Sequence, residues 1–443
     1  MRLLSVFREE ERQYLPFAFG AVFFALILGF PLGFTVAYAA AQGGTLAGRL
    51  PAVMQLHGHL QLVGWFGLFV TGMGLRLVPR FTAVKVRPAS LVPLTFALMA
   101  GGLVLRAVSQ PWADEPPLNV LFAASGALEA TAALIFAWVI LHCVRHGRPD
   151  EFHYSEFFAA ASLWLVVALL INLALVVDAA AGSEPAVSVT RSSAVTFVLL
   201  YGFVSMFVFA VSLRTFPIFF GRRRADPRLT MAAWALANAG VGGFAAAVIW
   251  RSYDVTAGER VLESVSFGAV GGAFLLLLAA LRIFEGTPHR LRESARRSMA
   301  FVRSAYAWLL LAAGMQVFFG LRALWDERLP AHYEVDAVRH FLALGFVTTI
   351  ILGMALLVLP RLAMRRMQGW SSRLVAISLL ALLQGATAAR GAGSLLANEA
   401  RLEEGFWTMT AGGLFGILAM ALFAGYLLRN PKAAAIPLSA RAP

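Results

Sequence analysis

Twelve long apolar stretches dominate this chain, at 16–41, 52–80, 88–108, 117–146, 154–181, 192–220, 228–250, 261–284, 299–324, 334–364, 372–397 and 405–428. Each reaches the roughly 20 residues that a helix needs to cross a bilayer. In lipid the backbone must satisfy its own hydrogen bonds, and apolar runs of this length do so as helices rather than barrel strands. The expected fold is an all-α polytopic membrane protein forming a single membrane domain over residues 1–443. Composition agrees, with 59% apolar and 14% charged residues, where soluble chains carry about 25% charge. The single cysteine, Cys143, excludes a disulfide framework and any cofactor attached through paired cysteines.

A net charge of +13 could suggest nucleic acid, but its placement is topological. Alternate connections and the two ends hold 23 basic residues, in clusters such as Arg222, Arg223, Arg224 and Arg228. The intervening loops hold six, Arg49, Arg191, Arg251, Arg260, Arg328 and Arg401. The positive-inside rule then puts both termini in the cytoplasm, with no need for nucleic acid as a partner. The first residues lack the short apolar core and small-residue cleavage site of a secretory signal, so the first span is expected to remain.

A repeat underlies the spans. The second, sixth and tenth share a glycine followed by an aromatic residue, with a proline fifteen positions after the glycine: Gly64-Trp65 to Pro79, Gly202-Phe203 to Pro217, Gly345-Phe346 to Pro360. The glycines are 138 and 143 residues apart, about four spans. Three four-helix units follow, approximately 16–146, 154–284 and 299–428, arranged with pseudo-threefold symmetry around inner spans two, six and ten.

Twenty residues before the prolines stand His59, Phe197 and His340. Two of three equivalent places carry imidazole at one depth, in the outer part of the bilayer, where polar groups are costly and face a cavity or a partner. Such a pair can supply both axial positions of one haem iron; the alternative is two hydrogen-bonded structural histidines. His57 points roughly 200° away from His59 on a helix. It could serve a second haem or a metal, or anchor the outer helix end. Arg339, beside His340, is the arginine best placed for haem propionates, ahead of Arg106, Arg191 and Arg322. His332 with Glu334 and Asp336 is a mixed donor set that could hold a metal. His142, His146, His153 and His289 fall at the cytoplasmic face and read as solvated. Glu129 lies roughly 18 Å below the outer end of the fourth span at 1.5 Å per residue. A carboxyl there acts as a proton relay or as an inter-helix hydrogen bond.

The segment His57-Gly-His59 with Gly64-Trp65, running to Val78-Pro79-Arg80, resembles the inner helices of the haem-copper oxidase superfamily. It is more similar still to the NnrS family, as is Arg339-His340 followed by Gly345. The resemblance implies a subunit I-like fold of twelve helices and a haem- and copper-containing protein of the bacterial inner membrane, linked to nitric oxide response. It also implies that His59 and His340 are low-spin haem ligands and His57 an extra ligand of the His-x-His pair. Oxidases and nitric oxide reductases of the superfamily place three histidines on spans six and seven for their second metal, and 192–220 and 228–250 here contain none.

The expectation is therefore a b-type cytochrome with one haem, or two, and copper possible. Quinol or a periplasmic donor would supply electrons, and nitric oxide or oxygen would be the small-molecule ligand. A divergent oxidase-like catalytic subunit and a haem-free proton-coupled transporter are the alternatives.

Overall fold

The computed structural model describes residues 13–148, 150–286, 291, 293–362 and 372–428. All regular structure among them is helical. Twelve helices are long and apolar enough to cross a membrane: α1 (Leu15–Ala41), α2 (Leu50–Thr82), α3 (Leu91–Trp112), α4 (Leu118–His146), α5 (Tyr154–Ala181) and α6 (Val189–Phe220). The second half supplies α7 (Pro227–Arg251), α8 (Ala257–Leu281), α9 (Ser294–Trp325), α10 (His332–Val358), α11 (Arg373–Asn398) and α12 (Leu402–Leu428). The chain is a multi-pass membrane protein. Several basic clusters used for topology, and His289, lie outside the described residues.

Helix ends follow capping chemistry more than hydropathy. Asp226 Oδ1 accepts from the backbone N–H groups of Arg228 and Leu229 at 2.9 and 3.1 Å, and Pro227 opens α7, a favourable start because its missing N–H would have no partner there. Thr256 caps α8 by accepting from Glu259 N at 3.3 Å. The helix thus begins at Ala257, four residues ahead of the apolar run, because Glu259 and Arg260 fit a first turn that hydropathy ignores. At the other end Arg222 donates to the carbonyls of Ile283 and Glu285, both at 2.8 Å, satisfying orphan acceptors beyond α8.

Burial separates three helices from nine. The most apolar stretches of α2, α6 and α10 are 78%, 89% and 72% buried, against 33–56% for the others. These three are the inner helices, and they touch one another. Trp65 on α2 donates to Thr348 Oγ1 on α10 at 3.3 Å, Phe209 on α6 packs against Phe346 on α10 with centroids 5.6 Å apart, and a Cβ at Gly74 would meet the Phe207 ring. Around them each helix packs on the next, and α12 returns to α1. A Cβ on Gly413 would sit 3.1 Å from Phe34 Cα, so the ring closes through glycine.

Each inner helix also widens into π-helical turns over the same register: Leu60–Gly67, Val198–Ser205 and Phe341–Thr348. The wide turns begin on the residue after His59, Phe197 and His340. Hydroxyls use the displaced carbonyls: Ser205 donates to Leu200 O at 2.8 Å and Thr348 to Ala343 O at 2.9 Å. The shared glycines admit an aromatic neighbour, since a Cβ on Gly202 or Gly345 would lie 2.8 or 2.5 Å from Cγ of Trp164 or Trp308. Local widening of this kind recurs at functional positions in helices.

Candidate functional site: three sectors around the inner helices

The first sector lies among α2, α3, α4 and α5. His59 Nε2 stands 2.8 Å from Glu129 Oε2, and Arg106 is within electrostatic range of both. Arg106 donates through Nε to Gln110 Oε1 at 2.9 Å and through Nη1 to Asn172 Oδ1 at 3.0 Å. All five side chains are buried, Glu129 completely and His59 to 6% exposure. A Cβ on Gly102 would lie 2.7 Å from Glu129 Cγ. The sector is thus packed and its imidazole engaged. The Glu129 contact joins α4 to α2.

The second sector, among α6, α7 and α8, is aromatic. Phe197 and Phe244 stack at 3.8 Å between centroids with a 13° interplanar angle, and Phe267 lies 6.2 and 6.3 Å from them. Each stands 138 residues after its counterpart in the first sector: His59, Arg106 and Glu129. Three apolar rings occupy the place of an imidazole, a guanidinium and a carboxyl.

The third sector is built from α10 and α11 with α1 and α2 as the facing wall. His340 Nδ1 lies 2.8 Å from Asp336 O and 3.4 Å from its Oδ1. Asp336 Oδ2 accepts from Ser394 Oγ at 2.6 Å and forms an ion pair with Arg390 Nη1 at 3.1 Å. From across the sector comes His57. Its Nδ1 lies 2.7 Å from Gly29 O, and its ring rests on Gly33, where a Cβ would sit 2.5 Å from Cε1. His340, Arg390 and Asp336 are all within electrostatic range of His57. His57, His340 and Arg339 are partly exposed, in contrast to the sealed first sector.

The structure sets His59 and His340 in different surroundings. His59 and His340 occupy equivalent registers, so each looks into its own sector, and Glu129 takes the nitrogen His59 would need for iron. The histidine that α2 presents toward His340 is His57. Arg339 lies within range of Tyr201 and Asp336; the guanidinium grouped with both imidazoles is Arg390, which sequence reasoning missed. A lone charge within the apolar run of α11 was the available signal. Arg191 pairs with Asp178 at 3.6 Å.

The other sequence candidates disperse. Glu334 forms a two-pronged pair with Arg322, 2.7 and 2.5 Å, Asp336 turns to Arg390, and His332 is exposed, so the three share no centre. Among the described residues no group of three or more His, Cys, Asp or Glu could hold a metal, which leaves the copper expectation without a ligand set there. His153 pairs with Glu156 at 3.1 Å, and His142 stacks on Trp138 at 5.6 Å.

The helical arrangement is similar to that of a haem-copper terminal oxidase dimer solved by cryo-electron microscopy, with a TM-score of 0.71 over 96% of this chain and 85% of that chain at 10% sequence identity. The fold is therefore the twelve-helix arrangement seen in that oxidase. Residues 220–430 match a family described as Domain of unknown function (DUF8744), and no curated protein sequence matches the chain.

Proposed function

We propose that this chain is a haem-binding electron-transfer protein whose haem lies in the third sector between His57 on α2 and His340 on α10. The donor set fits that group. Each imidazole is anchored through Nδ1 to an oxygen, Gly29 O and Asp336 O, an arrangement that fixes the ring and leaves Nε2 for iron. No hydrogen bond among the described residues uses either Nε2. That shared orientation of two partly exposed imidazoles in one sector is the observation that carries the reading.

A bis-imidazole haem supplies one-electron chemistry without an open coordination position. The protein's part is to hold the imidazoles, keep their Nδ1 protons in place and balance charge. Arg390 and Arg339 are the cations available to carboxylates of the group. Gly33 on α1 lets the His57 ring approach the helix closely. In the first sector Glu129 engages His59 Nε2, so the reading is of one haem.

The NnrS-like assignment, with a role in nitric oxide response at the bacterial inner membrane, cytoplasmic termini and quinol or a periplasmic protein as donor, forms part of this proposal. It is supported by the oxidase-like fold and the His57-Gly-His59 segment. An oxidase-like catalytic subunit would need a second metal beside the haem, and Phe197, Phe244 and Phe267 fill the sector between α6 and α8. A haem-free proton-coupled transporter would draw on the same histidines and on Glu129.

A reduced-minus-oxidised visible spectrum of protein purified after expression with haem available tests the reading. Sharp α and Soret bands of a low-spin b-type haem are expected. A spectrum without them removes the cytochrome and leaves the transporter.

A further inference from the structure

The two imidazoles of the third sector are backed unequally. His57 Nδ1 faces a neutral backbone carbonyl. His340 Nδ1 likewise meets a backbone carbonyl, Asp336 O at 2.8 Å, but it also stands 3.4 Å from the Asp336 carboxylate, which is held from behind by Arg390 and Ser394, while Arg390 Nη1 donates to Ser394 Oγ at 3.1 Å. Asp336 is 9% exposed and Ser394 is fully buried, so the network works in a low-dielectric setting where charge interactions are strong. The sequence did not single out this use of Asp336, and binding the haem does not by itself require it.

We infer that Asp336 is a positioning residue that sets the reduction potential of the haem by polarising His340, with Arg390 and Ser394 limiting how strongly it does so. A carboxylate charge beside the Nδ1–H edge of a ligating imidazole makes it a better donor to iron and favours the oxidised state. Arg390 and Ser394 both take Oδ2, which leaves Oδ1 as the oxygen facing the imidazole and draws electron density away from it. Two changes should then act in opposite directions. Removing the carboxylate charge favours reduction, whereas removing the guanidinium leaves an uncompensated carboxylate and opposes it.

The inference rests on the haem reading. Spectroelectrochemical titration of the detergent-purified protein measures it, with dithionite as reductant and ferricyanide as oxidant, each haem exchanging one electron between the ferric and ferrous states. Asp336→Asn is expected to keep a low-spin spectrum and raise the midpoint potential by at least tenfold in the reduction equilibrium, about 59 mV for one electron. Arg390→Gln is expected to lower it, and Ser394→Ala to lower it by less. The milder Ser394→Ala remains informative if a charge variant fails to accumulate. Unchanged potentials, or shifts of the same sign in the Asp336 and Arg390 variants, overturn the inference while the wild-type bands preserve the haem reading. Absence of those bands in the wild type overturns both.

Discussion

Phe197 and Phe244 stack with ring centroids 3.8 Å apart, 138 residues after His59 and Arg106. One frame is therefore filled in two chemically opposite ways, by a hydrogen-bonded ionisable set and by aromatic rings. The rings need no partner. The His59–Glu129–Arg106 set needs all its members, because a buried charge stripped of its counterpart is costly.

That difference predicts non-additive mutagenesis. His59→Phe alone removes the hydrogen-bond partner of the buried Glu129 carboxyl and should destabilise the detergent-solubilised protein by about 1–3 kcal/mol, the usual cost of leaving a buried polar group unsatisfied. The triple exchange His59→Phe, Arg106→Phe, Glu129→Phe copies the second sector and should recover most of that loss. Thermal unfolding followed by size-exclusion chromatography measures both. A triple variant less stable than the single one would show that the polar set does more than tie the helices.

Gly33 should be intolerant of a methyl group for a reason specific to the site. A Cβ there would press on the His57 ring, 2.5 Å from Cε1. Overpacking of this sort costs about 1–3 kcal/mol, and the imidazole is the group that must move. Gly33→Ala should reduce the haem-to-protein ratio several-fold while the protein still elutes as a folded species. Wild-type haem loading would mean that the ring position is unimportant.

Arg222 holds the chain beyond α8 through the carbonyls of Ile283 and Glu285. Hydrogen bonds to a charged donor are worth about 1.5–3 kcal/mol. Arg222→Met should accordingly lower the melting temperature and speed proteolytic cleavage after α8, leaving any visible spectrum unaltered.

The outline of the fold was legible because lipid imposes strict demands: the twelve apolar runs and their lengths nearly dictate twelve helices. The inner set was legible too, since the glycine–aromatic–proline spacing falls on the three most buried helices. Sector assignment was not. Equal spacing from a proline shows that His59 and His340 share a register, but equivalent positions on inner helices face successive sectors rather than each other. An inner helix borders two sectors, so the proposed partner of His340 comes from the opposite side of α2, two residues away at His57. The engagement of Glu129 with His59 joins residues 70 apart in the chain, and no local pattern foretells it. Arg390 was overlooked because its significance depends on Asp336, which only the packing of α10 on α11 brings beside it.

The pairing of His57 with His340 is tested most directly by low-temperature electron paramagnetic resonance and visible spectra of three single variants made in haem-replete cells. His57→Ala and His340→Ala should each convert the haem from low-spin to high-spin or lose it. His59→Ala, if it accumulates as folded protein, should keep the low-spin signal. A low-spin haem that survives His57→Ala but disappears in folded His59→Ala would contradict the pairing.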